Sequence, residues 1–246
     1  RAIEQGNYDT ITPLPRSNLR ELDEASVSFN GMLEGLKEKE MIRGLFGKFM
    51  PEAVAEKLLA DGGDLKPNAT EATVFFVDIA GFTAMSEKLD PVGIVDVLND
   101  YFTAAFEIIE QHGGVITQFQ GDAILAIFNV PLPDPDHAQK AVRAGQALQA
   151  LVASRTFGGQ QLACRVGINT GRVIAANVGA PDRMNYTVHG DAVNLAARLE
   201  AMNKETGTRI LISGATAARL SGIELTPMGT LEVRGKEEKV EVFAPT

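Results

Sequence analysis

Two apolar segments, each meeting an aspartate at a glycine-bearing turn, constrain this chain more than any other feature. The first runs Val74-Phe75-Phe76-Val77-Asp78 and continues into Ile79-Ala80-Gly81-Phe82-Thr83. The second is Val115-Ile116-Thr117-Gln118-Phe119-Gln120-Gly121-Asp122, followed at once by Ala123-Ile124-Leu125-Ala126-Ile127-Phe128. Apolar runs of this length bounded by glycine turns read as buried strands. With only Gly121-Asp122 between its two strands, the second segment is a tight hairpin. A carboxylate at the end of a buried strand is costly to leave unpaired. Asp78 therefore reads as a helix cap, a salt-bridge partner or a metal ligand, and Asp122 as an ordinary turn residue or a second ligand. If the hairpin lies beside the first strand, both carboxylates reach the same sheet end. There they could hold two divalent metal ions roughly 3.5–4 Å apart. A short helix is expected to start at Gly81-Phe82-Thr83, where backbone N–H groups suit phosphate oxygens.

The rest of the chain divides around that stretch. Residues 1 to about 17 are polar and turn-rich, with Pro13 and Pro15 forbidding a continuous helix. Ser17 or Asn18 caps a helix in which Leu22, Phe29 and Leu36 recur every seven residues. That narrow stripe fits a parallel coiled coil, the alternative being an amphipathic helix on the chain's own body. Between residues 37 and 59 the helical pattern is interrupted at Gly44, Gly47 and Pro51, and a turn-rich linker follows. A catalytic domain is expected from about Glu71. Its expected elements are a strand over 73–79, a long helix over 91–112 and the hairpin. After these come a helix from Asp136 to about Val152, strands over 162–169 and 172–178, and a short extended stretch over 184–188. A helix from Gly190 to Met202 and strands over 209–212, 228–234 and 240–243 complete the list. In the long helix, Val92, Val95, Leu98, Phe102, Phe106 and Ile109 follow the helical period and are expected to face the core. Strand, helix, hairpin, helix, strand is the order of a ferredoxin-like α+β domain with one face of its antiparallel-containing sheet covered by helices.

The net charge of −9 argues against a nucleic-acid partner, which needs a basic face. Cys164 is the single cysteine, so no intrachain disulfide is possible, and its apolar neighbours make it a small core residue. His112, His137 and His189 do not cluster and are expected to be structural. No apolar run approaches the ~20 residues of a membrane span. The chain begins with Arg1 rather than Met, which points to a fragment.

Ordered motifs add a resemblance. The stretch from Phe76 to Thr83 resembles the first metal motif of the class III nucleotidyl cyclases, and Gly121-Asp122 the second. Tyr186-Thr187-Val188-His189-Gly190-Asp191-Ala192-Val193-Asn194-Leu195-Ala196-Ala197-Arg198-Leu199-Glu200 resembles that family's third signature. The likeness spans about Glu71 to Ala244. It implies cyclisation of a nucleoside triphosphate, in which the ribose 3′-oxygen attacks the α-phosphorus and pyrophosphate leaves. It further implies that Asp78, Asp122 and the Ile79 carbonyl hold two Mg²⁺ or Mn²⁺ ions, with phosphates near Gly81, Phe82 and Thr83. Asn194 would orient the ribose and Arg198 would stabilise charge on the reacting phosphate. On spacing alone these two, four apart, are simply a polar helix face. Arg234 matches a basic residue that meets the terminal phosphates, with Lys236 a nearby substitute. Because the family splits these groups between two chains, the resemblance implies a homodimer with two composite sites.

The Pro-containing connector, the acidic patch after it and Ser28-Phe29-Asn30-Gly31-Met32 resemble the second half of a HAMP module. This gives a partial HAMP over 1–40, a helical transducer over 41–70 and the cyclase domain over 71–246. It also implies a cytoplasmic output domain of a signalling receptor, anchored in the cell membrane through an upstream segment. Base choice rests on Gln118, four residues before Asp122, and on Thr187. Adenylyl cyclases usually have Lys at the first position and guanylyl cyclases Glu. Thr187 favours ATP, but a neutral amide can present either its NH₂ to adenine or its carbonyl to guanine, so GTP stays open. A non-catalytic nucleotide-binding module is the rival from another class. Retention of Asp78, Asp122, Asn194 and Arg198 argues against it.

Overall fold

The computed structural model describes residues 8, 11–47, 51–60, 62, 66–180, 183–232 and 239–246. These fall into two units, residues 1–52 and 53–246.

The first unit holds most of its residues in helix α1 (Arg20–Gly47). The prolines upstream keep the preceding segment extended, and α1 ties that segment down. Asn30 accepts from the Leu14 N–H at 2.8 Å and donates to the Leu14 carbonyl at 2.9 Å. Arg16 pairs with Asp23, which also accepts from the Ser17 N–H. The expected break at Gly44 does not occur. One glycine costs a helix interior only about 1 kcal/mol, which the flanking residues absorb. Of the heptad-spaced residues, Leu22 is exposed, and Phe29 and Leu36 are half-buried.

Helix α2 (Glu52–Ala60) precedes the sheet domain. Then come β1 (Asn68–Ile79), α3 (Phe82–Ser86), α4 (Pro91–Gln111), β2 (Val115–Gln120), β3 (Ala123–Phe128), α5 (His137–Ser154), β4 (Cys164–Ala180) and β5 (Arg183–His189). The chain finishes with α6 (Asp191–Thr206), β6 (Ile210–Ser213), α7 (Gly214–Ala217), β7 (Leu225–Glu232) and β8 (Lys239–Pro245). The strand order is β2-β3-β1-β4-β6-β8-β7, with β5 paired to the far half of β4. The first four strands thus form the expected ferredoxin-like sheet, to which β6 adds in parallel and β8 and β7 antiparallel.

Sheet alternation sends Phe75, Val77 and Ile79 to one face, where α4 and α5 cover them. Ala72 and Val74 go to the other face, together with Leu125, Ile127 and Val173, and α6 seals it through Ala192 and Ala196. Both faces therefore carry helices, a correction to the one-sided expectation. Asp78 belongs to the α6 face by the same alternation.

Three further expectations change. The segments 162–169 and 172–178 are one strand, β4. Its ladder with β1 runs unbroken through Ala72↔Gly171 to Asn68↔Ala175, so the hydrogen bonds carry the chain past the glycine. Second, α4 has two apolar faces. The buried one is Val97, Tyr101, Ala104, Ala105 and Ile109, while Val92, Val95 and Phe106 are exposed. Third, α6 runs four residues past Met202, stopping where Gly207 takes a left-handed conformation (φ 68°). Asp90 caps α4 by accepting from the Gly93 N–H at 2.6 Å, with Pro91 in the first turn. Cys164 is buried and its thiol is pushed up to about 12 by that burial, leaving it a core residue. His137 is buried, its Nδ1 2.7 Å from the Thr73 hydroxyl. His112 Nδ1 lies 2.7 Å from the Ile108 carbonyl, and His189 is exposed.

One glycine fixes how closely α6 approaches the sheet. A Cβ on Gly167 would overlap the Ala196 carbonyl oxygen and the Glu200 amide nitrogen, both backbone atoms. Only a residue without a side chain lets the helix sit this low. Gly167→Ala should therefore destabilise the domain by about 1–3 kcal/mol, as overpacking typically does. That is a fall in Tm of roughly 2–10 °C for a domain of this size. A thermal scan showing an unchanged Tm would refute this account of the α6 seat.

Candidate active site

The ladder between β1 and β3 brings the two aspartates together. It pairs Val77 with Ile124, so the next residue of β1, Asp78, and the residue before Ala123, Asp122, emerge at the same sheet end. Gly121 closes the hairpin with φ 63°, a left-handed conformation that a side chain would disfavour. Both carboxylates are half-buried. Burial lifts the Asp122 carboxyl, and its hydrogen bond to Asp78 and the Asp78 charge lift it further, to about 6. Backbone N–H groups of Asp122 and Ile79 pull the other way.

On its other side Asp78 meets a cation. The β1–β4 register sets Asp78 directly opposite Arg165, whose Nη2 donates to Asp78 Oδ2 at 2.8 Å. The same guanidinium donates through Nε to Glu200 Oε1 at 2.9 Å. Glu200 comes from α6, and its side chain is 9% exposed. Burial and the Asp78 charge raise its carboxyl, against the pull of Arg165. Two carboxyls thus share one guanidinium while Asp122 lies against Asp78, and the cluster is short of positive charge.

That shortage is the test for a metal. Asp78 and Asp122 are hard oxygen donors, the type that suits Mg²⁺ or Mn²⁺. Among the described residues no cage of three or more metal-ligating side chains exists. This agrees with an ion held by one or two carboxylates whose other ligands are water and substrate phosphates. Burial leads the upward push on Asp122 and the neighbouring Asp78 adds to it, and a divalent cation between the two carboxylates would offset both, so the residues present fit such ions.

Around this centre, Gly81 sits with φ 76° before α3, with Thr83 exposed and Phe82 half-buried against the core. The first-turn amides of a helix have no acceptor within it. Gln118 and Thr187, far apart in sequence, are brought together: the Gln118 side-chain nitrogen lies 3.4 Å from the Thr187 hydroxyl. Asn194 and Arg198 are not brought to Asp78 and Asp122. Both are exposed on α6, with no hydrogen bond or ion pair among the described residues, while Glu200, about 200° around the helix, faces the sheet. Arg234 and Lys236 lie outside the described residues. Sequence reasoning missed Arg165 and the role of Glu200. The available signal was a charged residue inside the buried strand Cys164-Arg165-Val166-Gly167-Ile168, which must find a partner.

The raised Asp122 carboxyl has a measurable consequence. Its folded-state value lies above the 3.8 of a free aspartate, so Asp122 favours folding below pH 3.8 and disfavours it as pH rises through about 6. In metal-free buffer at pH 7.5, Asp122→Asn should raise stability, by an amount on the order of 1 kcal/mol once solvent screening is allowed for. The gain should vanish below pH 4. A variant less stable than wild type at pH 7.5 without metal would contradict this.

The profile of the adenylate and guanylate cyclase catalytic domain matches residues 66–244. Adenylate cyclase 1 of Rhizobium meliloti is 35% identical over 206 residues, covering 80% of this chain and 31% of that protein. The chain spans less than half the length of curated relatives such as this one. The crystal structure of the adenylyl cyclase CyaB from P. aeruginosa superposes with a TM-score of 0.65 at 32% identity, covering 74% of this chain and 96% of that one. The guanylyl cyclase Cya2 superposes with a TM-score of 0.67, also at 32% identity, covering 74% and 94%. Overall likeness is thus equal toward enzymes named for either base. The chain belongs to the adenylate and guanylate cyclase catalytic-domain family and is a class III nucleotidyl cyclase domain, a lyase.

Proposed function

We propose that this domain is an adenylate cyclase, converting ATP to 3′,5′-cyclic AMP and pyrophosphate in a homodimer with two composite sites. The observation that carries this reading is the division of the site. Asp78 and Asp122 converge at one sheet end, whereas Asn194 and Arg198 stand exposed and unpaired on the outer side of α6. A second copy must then supply Asn194 and Arg198 to the carboxylates of the first. Exposed apolar residues support the pairing: Val92, Val95 and Phe106 on α4, and Ile174, Val178 and Met184 on the β4–β5 arm.

In the reaction the ribose 3′-oxygen forms a bond to the α-phosphorus, the bond to the β-phosphate bridging oxygen breaks, and the hydroxyl proton is lost to solvent or a phosphate oxygen. Asp78 and Asp122, with the Ile79 carbonyl, would hold two divalent ions, which when bound supply charge neutralisation and an acidified 3′-hydroxyl. The chain's own groups do the rest by positioning and charge. The turn at Gly81, Phe82 and Thr83 offers amides to phosphate oxygens. Arg165 stands beside Asp78, held by Glu200. The partner's copy of Asn194 orients the ribose, and that of Arg198 meets the charge that builds on the α-phosphate. Arg234, with Lys236 beside it, is proposed for the terminal phosphates.

ATP is favoured over GTP by Thr187, whose hydroxyl accepts from the adenine 6-amino group while the Gln118 NH₂ donates to N1. GTP is the alternative substrate. Upstream, the connector clamped to α1 by Asn30, with Leu19 and Leu22 exposed, supports a HAMP-type parallel helix pair that brings two chains together. Membrane anchoring would come from a segment before it, since no helix among the described residues is long and apolar enough to cross a membrane.

Product formation from ATP and from GTP, each with Mn²⁺ and with Mg²⁺, tests the reading. Cyclic AMP from ATP is expected, with turnover reduced at least about 100-fold by Asp78→Ala and by Asn194→Ala. Preferential cyclic GMP formation, or full activity in Asp78→Ala, would overturn it.

A further inference from the structure

Gln118 alone does not explain a preference for ATP, because its amide can turn either end to the base. Its neighbours orient the amide. Gln118 and Gln120 are two apart on β2 and so share one face of the strand. The Gln120 side-chain NH₂ donates to the Gln118 side-chain oxygen. The Gln118 NH₂ in turn faces the Thr187 hydroxyl at 3.4 Å. Thr187 is buried, and its strand β5 is fixed by pairing with β4, Thr187 opposite Ala176. The amide of Gln118 is therefore held at both ends, its oxygen engaged and its NH₂ retaining a second hydrogen.

We propose that Gln120 is a specificity-determining positioning residue: by drawing the Gln118 oxygen toward itself it turns the Gln118 NH₂ toward the purine edge, where guanine needs an acceptor. The inference rests on the ATP reading above. Adenine presents an acceptor at N1 and a donor at its 6-amino group, which match the Gln118 NH₂ and the Thr187 hydroxyl. Guanine presents a donor at N1 and an acceptor at O6. Its N1–H would meet the Gln118 NH₂, donor against donor, because the Gln118 oxygen is turned toward Gln120, and a buried donor left without a partner weakens binding. Gln120 is exposed on the hairpin, so its replacement leaves the fold intact.

The test compares kcat/KM for ATP and for GTP in the full chain, with competition binding of the α,β-methylene analogues of both nucleotides. The proteins are wild type, Gln118→Leu, Gln120→Leu and Gln120→Glu, each checked for an unchanged Tm. Gln120→Leu frees the amide and should lower the ATP-to-GTP ratio roughly 5–10-fold, mainly through KM. Gln120→Glu can only accept from Gln118, turns the amide over, and should shift the ratio toward GTP by about tenfold or more. Any effect of its charge on the neighbouring Asp122 cancels in the ratio, because both substrates carry the same triphosphate. In a Gln118→Lys background, where only a donor exists, Gln120→Leu should no longer move the ratio. A wild type that prefers ATP, with a ratio that responds to Gln118→Leu but to neither Gln120 variant, overturns the role of Gln120 alone. A wild type that prefers GTP overturns the ATP reading and this inference together.

Discussion

Two aspartates pressed together at one sheet end, with Arg165 bridging one of them to Glu200, are the constraint on which the rest of this domain depends. Asp78 and Asp122 are brought to one sheet end by the β1–β3 ladder, and burial together with the neighbouring Asp78 raises the Asp122 carboxyl. Arg165 relieves Asp78 from the opposite strand, and Glu200 holds Arg165 from above. An ion network this enclosed contributes little net stability, since desolvation offsets much of the attraction. What it provides is a fixed geometry with an unmet demand for positive charge. The fold bears the cost of that demand in the absence of ligand, as sites prepared for charged ligands commonly do.

The local details serve this centre. Gly121 turns the hairpin tightly enough to present Asp122, and Gly167 lets α6 settle onto the sheet so that Glu200 reaches Arg165. The helix that inserts Glu200 inward carries Asn194 and Arg198 outward. One element thereby does two jobs on opposite faces: it completes the carboxylate cluster in its own chain and offers a separate set of groups elsewhere. The proposed head-to-tail pairing would bring this outer set of groups to the carboxylates of a second copy.

Much of this was legible in the sequence because the signals were local. Apolar runs ending at Gly81 and at Gly121-Asp122 gave the strands, the hairpin and the two aspartates. The order of elements gave the ferredoxin-like core, and the helical period from Pro91 onward gave α4. The failures share one cause, the absence of tertiary context. Gly171 looks like a strand end, yet cross-strand hydrogen bonds carry β4 through it. In α4 two apolar stripes compete, and periodicity cannot say that Val97 and Tyr101 go inward while Val92 and Val95 stay exposed. Arg165 and Asp78 lie 87 residues apart, and only the sheet register makes them neighbours. The link from Gln120 to Gln118 is local, but it gains meaning only when β5 brings Thr187 alongside.

The division of the site between chains is tested most directly by mixing Asp78→Ala protein with Arg198→Ala protein under conditions where dimers exchange. Each variant alone should be silent, since both of its sites lack one half. A mixed dimer has one site missing both groups and one site intact, so an equimolar mixture should recover about a quarter of wild-type turnover. Recovery at that level would establish that Asp78 and Arg198 act across the dimer. A mixture that stays silent while mixed dimers are shown to form, or full activity in Arg198→Ala alone, would contradict the account.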